Sequence, residues 1–168
     1  MVSECRIHTM SAGIAKVDAI RKYFAPLIAA RIDRYRTAEL ARDDGTWGSW
    51  PDLPIRIYTD SHLLVSVAWS KFDDLWLANG DSLPFDVEDA RTRWVENKIA
   101  DINGCLGRTI RGVMLGRGEM SLEKREIEIW TRLIIDLGDR WLEVFNALDE
   151  NGYELHDSKP TGEFVNGL

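Results

Sequence analysis

Hydrophobic and polar residues alternate along much of the second half of the chain. The segments EIEIWTRLIIDLG and RWLEVFNAL place apolar side chains at alternate positions and are joined at Gly138-Asp139. Because successive side chains of a strand point to opposite faces, this pattern predicts two strands paired as a hairpin. The same alternation predicts further strands over IRIYTD, LLVSVAWSKF, DLWLANGDSLP and RTIRGVMLG, and a short edge strand over GYELHDS.

The N-terminal part of the chain has helical spacing instead. Apolar residues recur at steps of three and four from Ile14 to Leu40, Lys and Arg occupy the other face, and Ser11 is placed to cap the start. Pro26 interrupts this stripe. It predicts either a kink or two helices, the second beginning at the proline.

The order of the predicted elements indicates the fold class. A second helical stripe covers residues 85–104, with Asp86 as the N-cap and Asn103-Gly104 as the stop. Helices and strands then follow without strict alternation, which predicts an α+β fold: a mainly antiparallel sheet with N-terminal helices and one mid-chain helix packed on it. The expected divisions of one compact domain are a frayed N-terminus (1–10), a basic helical segment (11–42), a linker (43–54) and the α+β domain (55–168).

The charge distribution narrows the classes of partner. The 168 residues include 21 Lys and Arg against 28 Asp and Glu, which gives a net charge of −7. Segment 11–42 has an excess of basic residues, so the remainder of the chain is strongly acidic. An acidic surface repels phosphate and attracts basic proteins, so the sequence predicts a basic protein partner and no nucleic acid.

Cysteine content and hydropathy bear on location. Cys5 and Cys105 form no CxxC motif and allow at most one disulfide, which is typical of a reduced cytoplasmic protein. No apolar run approaches the length of about 18 residues expected of a membrane span, and MVSECRIHTM lacks the apolar centre of a signal peptide. We therefore expect a cytoplasmic protein that does not engage a membrane.

The sequence lacks the motifs of the common catalytic chemistries. It contains no GxSxG, HExxH or P-loop pattern, and His8, His62 and His156 are widely separated. Cys105 follows the C-terminus of a predicted helix, where no helix dipole would lower the pKa of its thiol. These features predict no catalytic residue, no metal site and no cofactor, and they favour a protein that is not an enzyme.

One face of the strand RWLEVFNAL combines aromatic and acidic side chains, and an acidic run follows it. Asn and Asp commonly end strands, and Gly152 can supply a positive φ, so NALDENG is also explained as an ordinary turn. Acidic groups beside aromatics nevertheless suit docking onto a basic partner. The candidate binding surface comprises Asp136, Trp141, Glu143, Phe145, Asp149, Glu150 and Asn151.

The stretch DRWLEVFNALDENGYEL resembles the C-terminal strand and turn of small, mostly uncharacterised bacterial α+β proteins, some of them immunity- or antitoxin-like. The resemblance covers about residues 108–157 and transfers no individual functional residue. It implies a small, acidic, non-enzymatic protein that binds and occludes a basic partner.

Two other functions remain open at this level. Trp47, Trp50 and Trp76 would serve as stacking surfaces if the chain bound a small molecule or carbohydrate, and a carboxylate pair beside them would suit a hydrolase. The N-terminal helices would alternatively join copies of the chain into a homo-oligomer.

Overall fold

The computed structural model describes residues 3–87 and 90–168, with the side chains of residues 3–12 and of Leu122 outside the description. This part of the chain folds as one α-helix, α1 (Ser3–Phe24), two short 3₁₀ helices (Ala25–Leu27 and Ala100–Cys105) and eleven strands. The strands are β1 (Ile32–Ala41), β2 (Trp47–Ser49), β3 (Ile55–Thr59), β4 (Leu64–Ser70), β5 (Asp74–Ala78), β6 (Thr92–Glu96), β7 (Gly112–Leu122), β8 (Arg125–Asp136), β9 (Trp141–Asn146), β10 (Asn151–His156) and β11 (Phe164–Asn166).

The strands form two antiparallel sheets. The first sheet has the order β2-β1-β3-β4-β5, with β6 also paired to β1. The second sheet has the order β10-β9-β8-β7-β11. The predicted hairpin is confirmed, because β8 pairs with β9 from Arg132 opposite Phe145 to Asp136 opposite Trp141. The predicted edge strand is confirmed as β10.

The two sheets and α1 enclose one hydrophobic core. Alternate residues of β4 and of β8 are fully buried in it, and α1 adds Ile20 and Phe24. The basic face of the helix also contributes inward contacts: the Lys16 Nζ lies 3.1 Å from Asp73 and donates to the Trp130 carbonyl at 2.9 Å. Burial lowers the pKa of Lys16, although Asp73 opposes the shift. No helix in the described part of the chain has the length and apolar character needed to cross a bilayer.

The predicted α+β class is wrong, because the described chain is mainly antiparallel β-sheet with a single α-helix. The helix predicted over segment 11–42 ends at Phe24, and Pro26 lies within a short 3₁₀ helix and not at the start of a second α-helix. β1 then occupies Ile32–Ala41. A β-bulge between Ile32 and Arg34 shifts the register, so Ile32 and Tyr35 both face the core. Their spacing of three residues is the spacing typical of a helix, which explains the wrong prediction.

The mid-chain helix is also wrong. Residues 92–96 form β6, and only a short 3₁₀ helix follows; Glu88 and Asp89 lie outside the described residues. Trp94 lies beneath the guanidinium of Arg56, 3.6 Å from its ring centroid, instead of sharing a helical stripe with Ile102. The linker 43–54 contains β2.

A buried asparagine joins the two sheets. Pro54 has no N–H and β3 begins only at Ile55, so on its β3 side β4 has no strand partner beside Trp69. The Asn151 side chain fills this place: it accepts from the Trp69 N–H at 2.8 Å and donates to the carbonyls of Leu53 and Val67, each at 3.2 Å. The Trp69 indole in turn donates to the Val144 carbonyl of the second sheet at 2.8 Å.

Replacement of Asn151 should therefore be costly. We expect Asn151→Ala to lower the free energy of unfolding by about 3 kcal/mol, because the Trp69 N–H loses its acceptor and the carbonyls of Leu53 and Val67 each lose a donor. The exposed Asn166→Ala is the matched control and should change it by less than about 0.5 kcal/mol. Urea denaturation of both variants measures the difference; equal, small losses would contradict the bridging role.

Candidate functional site

Two hairpin turns meet at one end of the molecule. One joins β4 to β5 and the other joins β9 to β10. We call the group formed by Phe72, Asp73, Asp74, Leu148, Asp149 and Glu150 the acidic tip. Its two apolar side chains are unusually open to solvent: Leu148 is 96% exposed and Phe72 is 54% exposed.

The side chain of Asn146 holds the two turns together. Its Nδ2 donates to the carbonyls of Lys71 at 2.9 Å and Phe72 at 3.1 Å. Its Oδ1 accepts from the N–H of Asp149 at 2.8 Å. The acidic tip is therefore a composite surface whose two halves are fixed relative to each other by one amide.

The β9–β10 turn has an uncommon sequence for its backbone. Leu148 has a φ of 61° and Asp149 has a φ of 70°. The Ala147 N–H donates to the Glu150 carbonyl at 2.8 Å. Two positive φ values in a two-residue loop are the pattern of a type I′ turn, in which Asn-Gly is preferred. A bulky side chain such as leucine is disfavoured in this left-handed region.

The charge of the acidic tip is dominated by carboxylates. Asp74 and Asp149 are exposed. Lys71 lies at the limit of ion-pairing distance from Asp74, 4.0 Å, and is itself 83% exposed, while Lys16 neutralises Asp73 from behind. The surface therefore presents two apolar side chains within a largely negative rim.

The sequence-predicted residues do not form one continuous surface. Asp149 and Glu150 lie on the acidic tip. Trp141, Glu143 and Phe145 share the outer face of the second sheet, as their alternation predicts, and Phe145 lies in the register position opposite Gly152. A Cβ at Gly152 would collide with the Phe145 ring, so this glycine permits close packing and does not supply the positive φ expected of it.

Three of the predicted residues have their polar groups engaged within the chain. Asn151 is only 4% exposed and bridges the sheets as described above. Asp136 accepts from the Gly138 N–H at 2.7 Å in the β8–β9 turn. Glu143 is also 4% exposed, so its carboxylate is not displayed to a partner.

Glu143 is the centre of a polar cluster on the outer face of the second sheet. Arg132 contacts it through two hydrogen bonds, Nε to Oε1 at 2.5 Å and Nη2 to Oε2 at 3.1 Å. His156 Nε2 lies 2.7 Å from the same Oε2, and Nδ1 lies 3.5 Å from Glu154. The hydrogen bonds to Glu143 raise the pKa of Arg132. A concavity of about 310 Å³ opens over these residues.

The other chemically interesting residues are dispersed. Cys105 is buried, and burial raises the pKa of its thiol to about 12, so the thiolate is scarce at neutral pH. Trp47 lies under Arg93, whereas Trp50 packs near Phe85 and donates to Asp52. The described structure does not gather the tryptophans into one stacking surface.

Sequence reasoning missed Leu148, Phe72 and Asn146, and it did not assign Asp73 or Asp74 to the binding surface. An isolated leucine in a turn rich in Asp, Glu and Asn was the only available signal for Leu148. Comparisons with family models, curated proteins and solved structures find no match to this chain.

The Glu143 cluster should contribute to stability. We expect Glu143→Gln to lower the free energy of unfolding by about 3 kcal/mol, because the half-buried Arg132 guanidinium loses its charge partner. Glu126→Gln, an exposed change on β8, should cost less than about 0.5 kcal/mol. Chemical denaturation at pH 7 makes the comparison, and equal effects would show that the cluster is energetically neutral.

Proposed function

We propose that this chain is a non-enzymatic, cytoplasmic protein-binding domain that docks a basic partner through the acidic tip. The proposal rests on the exposure and the backbone conformation of Leu148. This side chain contributes no burial in the free chain and occupies a disfavoured backbone conformation. Backbone strain that persists at an exposed position is a reason to look for function there.

The composition of the tip fits a docking surface. Exposed apolar residues gain most when a partner covers them, and Leu148 and Phe72 are large enough to anchor a desolvated centre. The surrounding carboxylates favour a partner whose own surface carries Lys and Arg, because opposite potentials steer association and fix orientation. The negative net charge of the whole chain acts in the same direction.

The mechanism that follows is occlusion. The tip projects from two hairpins that are tied to each other by Asn146 and to the rest of the molecule by Asn151, so it presents a preorganised shape. A basic functional surface covered by such a tip would lose access to its own substrate. This is the mode of action implied by the immunity-like resemblance, here assigned to the tip.

The free, buried thiol of Cys105 is consistent with a reducing compartment.

The substitution Leu148→Asn should change stability and partner binding in opposite directions. Asparagine tolerates a left-handed backbone better than leucine does, so we expect the free energy of unfolding to rise by about 0.5–1 kcal/mol. Binding to the partner should weaken at least tenfold, because an apolar anchor is lost. The partner is captured from native lysate with the tagged wild type, and affinities of the purified pair are then measured by calorimetry.

The control for this change is Val165→Asn, which alters an apolar residue of 42% exposure on β11 and should leave affinity unchanged. If the Leu148→Asn variant binds the partner as tightly as the wild type does, the acidic tip is not the docking surface.

Charge reversal tests the electrostatic half of the proposal. Asp149→Lys combined with Glu150→Lys should weaken binding of the captured partner and flatten its dependence on salt, since fewer attractive charges remain to be screened. Asp43→Lys combined with Asp101→Lys makes the same change in net charge at exposed positions away from the acidic tip. If both double variants lose the same affinity for the partner, the effect is a non-specific one of net charge.

The small-molecule alternative is favoured by one observation. A groove of about 560 Å³ lies between α1 and the second sheet, with Val17, Leu115 and Trp130 among its lining residues and Ile14 exposed beside it. This volume is within the usual range of ligand sites. An apolar ligand there should be detected with anilinonaphthalene sulfonate, whose binding Ile14→Glu should abolish and Leu63→Glu should not. Absence of dye binding to the wild type would count against this site.

A further inference from the structure

Three side chains with metal-ligand atoms converge on the outer face of the second sheet. They are Glu143 of β9 and Glu154 and His156 of β10, and one ligand atom from each lies within 4.8 Å of the others. Glu154 stands directly opposite Glu143 in the strand register, and His156 is the next residue on the same face of β10. Because neighbouring strands fix these positions, their convergence is a property of the backbone and not of one flexible turn.

The surroundings of Glu143 resemble the support of a metal-ligating carboxylate. Arg132 is hydrogen bonded to both carboxylate oxygens and fixes the plane of the group. Outer hydrogen bonds of this kind orient metal ligands and restrict their motion. The concavity of about 310 Å³ gives access to the cluster through the exposed Glu154 and the partly exposed His156, and the buried Glu143 lies at its base.

We propose that these three residues bind one divalent transition-metal ion of the zinc class. An imidazole nitrogen with two carboxylates is a donor set that suits zinc, whereas calcium and magnesium prefer sites made of oxygen alone. The two carboxylates outweigh the single positive charge of Arg132, so the cluster retains a net attraction for a cation. Three protein ligands leave a coordination position that faces the concavity.

Binding requires a small local rearrangement. Ligand atoms about 2.0–2.1 Å from a tetrahedral zinc ion lie about 3.4 Å from each other, which is wider than a hydrogen bond. The His156 Nε2 and Glu143 Oε2 are 2.7 Å apart, so the ion would replace the hydrogen bond between them and move the imidazole outward. His156 lies at the end of β10 beside the concavity and its side chain is 20% exposed, which leaves room for this shift.

The test is calorimetric titration of the full chain, first treated with chelator, with zinc chloride in the absence of any partner. We expect one equivalent to bind saturably, and His156→Gln and Glu154→Gln each to weaken the affinity at least tenfold. Both variants keep the Arg132–Glu143 pair, and circular dichroism verifies their fold. X-ray absorption of the zinc-loaded wild type should show one imidazole together with oxygen ligands.

His62→Gln is the matched control, because His62 is an exposed histidine in the β3–β4 turn, and it should bind zinc as the wild type does. The proposal is overturned if the wild type shows no saturable binding, or if His156→Gln binds zinc with unchanged affinity. The cluster would then be a structural hydrogen-bond network only. Since no partner is present in the titration, either result leaves the docking proposal for the acidic tip to be judged separately.

Discussion

The packing of the two sheets depends on one buried side chain that makes hydrogen bonds in place of a strand. Where Pro54 prevents β3 from continuing, the amide of Asn151 satisfies the N–H and carbonyl groups that a strand would have satisfied. Because Asn151 is also the first residue of β10, this bond fixes the second sheet against the end of the first. Without it, the Trp69 N–H and the carbonyls of Leu53 and Val67 would each lose a hydrogen-bond partner at the seam, and the enclosed core would be less stable.

The acidic tip is a consequence of this seam. Asn151 follows directly after the β9–β10 turn, and Asn146 precedes it, so the turn is anchored on both sides. Asn146 then draws in the β4–β5 turn through the carbonyls of Lys71 and Phe72. Rigid support of this kind allows Leu148 to remain exposed in an unfavourable conformation, because the turn cannot relax without breaking the bonds at its base.

The polar cluster around Glu143 has a different role from the one that sequence alternation indicates. Alternation places Trp141, Glu143 and Phe145 on one face, and the structure agrees. It cannot indicate that Arg132, from the neighbouring strand, would pair with the carboxylate, or that His156, from β10, would lie within hydrogen-bond distance of it. The display of negative charge therefore falls to Asp74, Asp149 and Glu150, and Glu143 is better suited to hold a neighbouring group or an ion.

Strands were predictable and the helices were less so, for identifiable reasons. The alternation in β8 and β9 arises from one buried and one outer face, and it is visible in the sequence alone. In β1 a bulge brought Ile32 and Tyr35 to the same side and produced a helical spacing. Asp149 and Glu150 were predictable from the acidic run that follows β9, whereas Asp73 and Asp74 were not part of the predicted surface. Phe72 was not, because the Asn146 bonds that place it beside Leu148 join positions 74 and 75 residues apart.

The most direct measurement of the docking claim is photo-crosslinking in cells that contain the partner. A benzoylphenylalanine residue is introduced at position 148 in one variant and at position 165, an exposed apolar position on β11, in another. The account predicts a single covalent adduct with a basic protein from position 148 and none from position 165. An adduct from position 165 alone, or equal labelling from both, would contradict the assignment of the acidic tip as the docking surface.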